Sequence, residues 1–324
     1  MAQAKGSAEL RPAVLSPKAG SSLLLDVAQA GPRLVAVGVR GHVLYSDDQG
    51  ATWIQAQVPV RQMLTGLHFV DDRHGWAVGH DSIILHTSDA GATWSVQYRD
   101  PGLDGDEEAD LLEKPLMDVW FRDANTGFAV GAYGLLLRTD DGGATWDDRS
   151  DDIDNPDGLH YNAIAEVAGA GLMVVGEMGS LYRSPDYGDS WEALNEHPYD
   201  GSWFGVSGTG EANAVLVWGL RGNMYRSDDF GASWTQVALE TPAGPLEATL
   251  SGGSLTADGR LVVVGAGGVV ISSMDRGRTF SVTTRPDRVG LANGALLADG
   301  QLLLVGQRGA VKASQADLTA KTNR

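Results

Sequence analysis

Six carboxylates recur in this chain with the same neighbours. Asp48, Asp89, Asp141, Asp186, Asp229 and Asp275 each occupy the third position of a Ser/Thr-x-Asp-x-Gly-x-Ser/Thr-Trp/Phe element, which closes on Trp53, Trp94, Trp146, Trp191, Trp234 and Phe280. Paired acids invite a reading as general acid and base, and clustered acids a reading as metal ligands. Repetition argues otherwise: a reacting centre needs its acid once, whereas a fold needs a device in every copy. A short acid followed two residues later by glycine builds a turn, because the carboxylate accepts main-chain N–H groups and glycine admits positive φ. The aromatic residue then opens the next strand and carries a large apolar area inward. These residues are assigned a structural role.

Other groups could do chemistry. Arg40, Arg221 and Arg308 follow equivalent glycines in the repeat described below, with Tyr133 and Glu177 on intervening copies, and converging arginines hold carboxylates or phosphates. His68, His74, His80 and His86 fall six apart, a spacing that matches no common ligand pair, so no metal is expected. His80 is kept as a binding candidate. Acids crowd two insertions: Asp100, Asp104, Asp106, Glu107, Glu108, Asp110 and Glu113 in one, Asp147, Asp148, Asp151, Asp152, Asp154 and Asp157 in the other. Neither has EF-hand spacing; a solvated acidic loop is the first reading, and docking to a basic partner the functional alternative. Trp203, after His197-Pro198-Tyr199-Asp200-Gly201-Ser202, either joins an apolar contact surface or lies in the core. No nucleophile elbow, phosphate-binding loop or HExxH sequence occurs, and no cofactor is expected.

The elements that must position these residues are set by a repeat. Apolar runs end on Gly38, Gly79, Gly131, Gly176, Gly219, Gly265 and Gly306, at separations of 41, 52, 45, 43, 46 and 41 residues. Each unit holds short apolar runs between glycine turns, too short for helices and suited to strands. In the second unit the strands are predicted over residues 64–69, 76–78, 83–86 and 94–98. Four strands per unit is the pattern of a propeller blade. The expected fold is therefore all-β: one seven-bladed β-propeller over 1–324, of four-stranded antiparallel blades. Its blades are predicted at 20–58, 62–98, 116–148, 159–195, 202–239, 246–283 and 290–314, with an acidic insertion at 99–115 and a tail at 315–324. The last unit lacks the Asp-Gly-Trp element, and residues 9–15 are expected to supply its outer strand and close the ring. Turns after the anchor glycines should share a face with the blade-to-blade crossovers, opposite the aspartate elements, and irregular crossovers mark that face as functional.

Composition narrows the classes. The chain has 324 residues, 43 Gly, no Cys and a net charge of −18. Absent cysteine excludes disulfides and thiolate chemistry. The acidity disfavours nucleic acid and anionic lipid surfaces, and no apolar run reaches the roughly 18 residues of a membrane span. Ala2-Gln3-Ala4 is similar to the end of a cleaved export signal, so a periplasmic location is expected, with the cytoplasm as alternative.

The element ending at Trp53 and its copies resemble the Asp-box (BNR) repeat. The longer pattern, residues 69–79 (FVDDRHGWAVG) followed by 87–94 (TSDAGATW), and again 121–131 (FRDANTGFAVG), resembles the photosystem II stability/assembly factor family over about residues 20 to 313. That resemblance implies a seven-bladed, non-enzymatic, lumenal or periplasmic propeller that helps assemble membrane complexes. Relatives in non-photosynthetic bacteria accompany envelope and efflux systems, and this chain departs from photosynthetic members in its acidity. The expected function is an accessory factor, monomeric, that binds a protein partner of an envelope complex through the insertion-bearing face. The alternative is an Asp-box glycoside hydrolase with a carboxylate pair at the channel mouth, since sialidases also combine such repeats with an arginine triad and a Tyr/Glu pair.

Overall fold

The computed structural model describes residues 10–100 and 113–314. The protein is a seven-bladed β-propeller built from small antiparallel sheets. Its chain divides into two compact units, the first ending at Asp148 and the second beginning at Arg149.

The first unit holds three four-stranded sheets. Their strands are Leu24–Ala30, Arg33–Gly38, Val43–Ser46 and Ile54–Gln55; Leu64–Phe69, Gly75–Gly79, Ile84–Thr87 and Ser95–Tyr98; and Leu116–Phe121, Gly127–Gly131, Leu136–Thr139 and Asp147–Asp148. The second unit holds three more of the same kind and a last sheet of three strands, Leu291–Leu296, Leu302–Gly306 and Gly309–Ala313. A two-stranded hairpin, Glu240–Thr241 with Gly244–Pro245, stands between the fifth and sixth blades.

Within each unit the second strands are apolar on both faces and pack against the neighbouring blade. Val35, Val37, Ala77, Val78, Ala129 and Val130 are completely buried. Within the first unit, Val35, Val37 and Val43 of blade one pack with Leu64, Leu67, Ile83, Leu85 and Trp94 of blade two, and Trp76 stacks on Phe121 of blade three with centroids 3.5 Å apart. In the second unit the same seam joins Met173 and Val175 to Trp203, Val215 and Val217. A full-size apolar side chain buried in such a seam contributes about 1.5–3 kcal/mol.

The first strands carry a bulge near their start, at Leu24/Asp26, Leu64/Gly66, Tyr161/Ala163, Trp203/Gly205, Leu250/Gly253 and Leu291/Asn293. Bulges turn side chains off the ladder, and here the freed groups link blades. Asp26 Oδ2 accepts the Leu67 N–H at 2.7 Å, Thr65 Oγ1 donates to the Leu116 carbonyl at 2.6 Å, and Asn162 Nδ2 donates to the Trp203 carbonyl at 2.7 Å.

One expectation is corrected. Residues 10–15, the described part of the predicted closing strand, form no strand. They run beside the link between blades one and two: the Ala13 N–H donates to the Val58 carbonyl at 2.9 Å, and Arg61 Nε donates to the Pro12 carbonyl at 2.8 Å. Gln55 completes the attachment, accepting the Ser16 N–H at 2.8 Å and donating to the Val14 carbonyl at 3.1 Å. Pro12 and Pro17 suit such a path, because proline removes ladder donors. The seventh sheet therefore has three strands among the described residues.

Candidate functional site: the glycine-turn face

The turn after each second strand is built the same way six times. The anchor glycine is followed by one residue and then by two in the left-handed region: Arg40 and Gly41 (φ 59° and 68°), Asp81 and Ser82, Tyr133 and Gly134, Met178 and Gly179, Arg221 and Gly222, Gly267 and Gly268. The residue after the anchor donates its N–H to the segment entering the same blade, as Ala132 does to Pro115 and Glu177 to His160. The second left-handed residue abuts the segment leaving the blade. A Cβ at Gly222 would overlap the Leu246 carbonyl oxygen, and one at Gly41 the Val60 carbonyl. Glycine-turns and crossovers thus share a face in both units, as the repeat predicts.

At the opposite end the aspartate turns form a uniform hydrogen-bonded unit. Thr87 Oγ1 donates to Asp89 Oδ1 at 2.8 Å and accepts the Gly91 N–H at 3.0 Å. Asp89 Oδ1 also accepts the Thr93 N–H at 2.9 Å, and Oδ2 its hydroxyl at 2.6 Å. Asp48, Asp141, Asp186, Asp229 and Asp275 make the equivalent bonds. The partner hydroxyls and main-chain N–H groups hold Asp48, Asp186 and Asp275 at about 2. Both oxygens of each acid are engaged, so these carboxylates are structural.

The sequence candidates fall on the glycine-turn face unevenly. Arg40, Tyr133 and Arg221 sit at the exposed left-handed tips. His80 and Glu177 are one residue earlier and bind the neighbouring crossovers: His80 Nδ1 meets Glu113 Oε1 at 2.6 Å, and Glu177 Oε2 accepts the His160 N–H at 3.1 Å. The tip residues of those blades are Asp81 and Met178, the latter 68% exposed. Counting two from every anchor glycine would have found them. Arg308 lies in a shorter two-residue turn, Gln307-Arg308, closed by Gly309 at φ 79°. Asp104, Asp106, Glu107 and Glu108 lie outside the described residues.

One alternative is resolved. Trp203 is fully buried, its ring edge-on to Tyr199 and Tyr225. It is core, not contact surface. Within the second unit two of the three arginines line different cavities. Arg221 lines a cavity of about 690 Å³ with Asn223, Gln236, Glu240, Leu246 and Glu247, whereas Arg308 lines a separate one of about 30 Å³, and glycine occupies the tip of the blade between them. The larger cavity was missed because the hairpin at 240–245 that walls it lies outside the repeat, although Thr241-Pro242-Ala243-Gly244-Pro245 has turn composition.

The four histidines take four different partners. Burial pushes His68 down to about 4, and its Nε2 contacts the Phe121 carbonyl at 3.1 Å. His74 pairs with Asp71, His80 with Glu113, and His86 lies against Trp76.

Comparison with known proteins adds three findings. The family model described as Photosynthesis system II assembly factor YCF48 matches residues 46–114 and 107–317. The chain is 39% identical over 79 residues to a photosystem II assembly lipoprotein Ycf48 from Synechococcus sp. (strain CC9902), a stretch covering 24% of this chain and 23% of that protein. It is 51% identical over 49 residues to the namesake from Prochlorococcus marinus, 14% of each. These alignments span about a quarter of the curated relatives or less. Among solved structures, a YCF48 bound to a D1 peptide superposes with a TM-score of 0.66 at 18% identity, covering 94% of this chain and 96% of that one. A streptogramin B lyase reaches 0.72 at 12% identity, with 93% and 95% covered. Likeness at such identities establishes the shared fold.

Proposed function

The chain belongs to the photosynthesis system II assembly factor YCF48 family, and from that membership we propose that it is a non-enzymatic binding factor. It engages a polypeptide of a membrane complex through the glycine-turn face. The match over residues 46–317 carries this reading. The turns support it: the tips offer Arg40, Asp81 and Tyr133 in the first unit and Met178 and Arg221 in the second, each on a main-chain turn of fixed geometry, a mixed set of side chains suited to a polypeptide. The solved relative bound to a D1 peptide supports the class of ligand. We place the protein in the periplasm, acting on an envelope complex of which an efflux assembly is one candidate.

The test uses photo-crosslinking residues introduced into the full chain at Tyr133, Met178 and Arg221, with Ala51, Ala144 and Ala232 of the aspartate turns as controls. After incubation with detergent-solubilised envelope, adducts to a membrane polypeptide are expected from the first set alone. Equal labelling from both sets, or turnover on a glycoside panel, would overturn the reading.

A further inference from the structure

The seventh sheet ends on a strand whose outer side is unpaired among the described residues. In the other six blades the third strand closes on Ser46, Thr87, Thr139, Ser184, Ser227 or Ser273, whose hydroxyl starts the aspartate turn that brings back a fourth strand. The register places Ala313 at this position, opposite Leu302. Alanine has no hydroxyl to bind a carboxylate or accept an N–H. The sequence beyond also lacks the element: Gln315 stands where the aspartate would be, Asp317 where the glycine would be, and Ala320 where the tryptophan would be.

Register also identifies the open groups. In blades one, four and five the carbonyls of Val43, Leu181 and Met224 accept main-chain N–H groups from Ala56, Leu194 and Val237, each at 2.9 Å, at the fourth strand. Ala310 is the equivalent residue, opposite Val305. Alternation then turns the main-chain groups of Ala310 and Lys312 toward the side that is unpaired among the described residues, and those of Gly309, Val311 and Ala313 toward the second strand. A strand edge unpaired among the described residues is a template for strand addition.

The local charge points to the occupant. Residues 285–314 carry Arg285, Arg288, Arg308 and Lys312 against Asp287 and Asp299 in a chain of net charge −18. Arg285 pairs with Asp287 at 2.8 Å and Lys312 with Asp299 at 2.9 Å. Arg288 and Arg308 have no direct ion pair among the described residues.

We propose that the outer edge of the seventh blade, Gly309–Ala313, binds an extended acidic segment of a partner polypeptide by strand addition. The inference deepens the reading of the chain as a polypeptide binder, adding a second contact with a defined backbone register.

The probe is a fluorescent ten-residue peptide alternating glutamate with valine and tryptophan, with a lysine-alternating peptide as control, titrated against the purified full chain. Binding of the acidic peptide alone is expected. Lys312→Pro, which removes an outward N–H and leaves the ladder to the second strand intact, should weaken it at least tenfold. Lys312→Ala should stay within threefold, and Arg308→Glu should weaken binding severalfold. Hydrogen exchange on the wild-type chain gives a readout independent of any variant: the amides of Ala310 and Lys312 should slow on peptide addition. Equal binding of both peptides, absence of binding, or unchanged exchange would overturn the proposal. So would a chain truncated after Ser314 that gains tenfold in affinity, since its own tail would then be the occupant, or self-association relieved by Lys312→Pro, since a second copy would be. Failure here leaves the crosslinking result at the turn tips untouched, and the two readings are separated.

Discussion

The two ends of each blade solve the same problem with opposite parts of the chain. At the aspartate turns the side chains do the structural work, and the same hydroxyl, carboxylate and glycine return six times. At the glycine-turns the main chain does it, through two left-handed residues and fixed N–H contacts to the crossovers. The consequence lies at the tips. Where backbone geometry holds the turn, the residue type at the tip can vary, and the tips carry Arg40, Asp81 and Tyr133 in the first unit and Met178, Arg221 and Gly267 in the second. Diversity on a uniform frame is what a recognition surface requires.

The sharpest test of the aspartate end is its aromatic residue. Trp94 is 7% exposed, packs on Val35 across the seam and donates Nε1–H to the Gly91 carbonyl at 3.0 Å. Trp94→Ala should destabilise the protein by about 3–5 kcal/mol, measured by urea denaturation. A loss below about 1 kcal/mol would mean that the turn, and not the seam, holds the blade. Next comes the hydroxyl beneath the turn. Thr87→Val keeps the shape but strips the buried Gly91 N–H of its acceptor, which should cost about 1–3 kcal/mol.

Acid separates two further contributions. His68 is lowered from its ordinary 6.5 to about 4 in the fold by burial. The unfolded chain therefore takes up that proton first, and stability is expected to decline as pH falls from about 6.5 to about 4. Asp48, Asp186 and Asp275 lie at about 2 against an ordinary 3.8. Their contribution is full above about pH 4 and is lost between about 4 and 2. Melting temperature against pH should show both declines, and His68→Gln should reduce the upper one without touching the lower, the remainder coming from His42 and His86, which burial also lowers. A flat profile down to pH 2.5 would contradict the structural role of the aspartate turns.

How much was legible beforehand follows the same division. The aspartate turns were readable because their work is done by residue types, and types are what a sequence shows. The anchor glycines were readable too, since their close approach to a carbonyl excludes a Cβ. The path of residues 10–16 was not: Gln55 and Arg61 hold it through main-chain carbonyls and amides that any sequence could supply. Trp203 stood at an ambiguous position, and only burial between Tyr199 and Tyr225 decides it. His80 and Glu177 stand one residue ahead of the tips Asp81 and Met178, because the left-handed φ that makes a tip is set by the backbone and not by residue type.

The smallest expected change in stability belongs to those tips, and there it is most informative. Arg221 is exposed, and its main chain, not its side chain, fixes the turn, through the contact of Gly222 with Ala248 at 2.8 Å. Arg221→Ala, Tyr133→Ala and Met178→Ala should each stay within about 0.5 kcal/mol of wild type, the range of surface substitutions. Capture of the membrane partner should nevertheless fall, most strongly in the triple variant. Gly222→Ala is the converse control, since a Cβ there meets the Leu246 carbonyl and the φ of 70° disfavours it; it should destabilise by more than about 1 kcal/mol. If tip truncations cost as much stability as Gly222→Ala, the side chains hold the turn. The variability that suits these tips to the proposed recognition would then not exist.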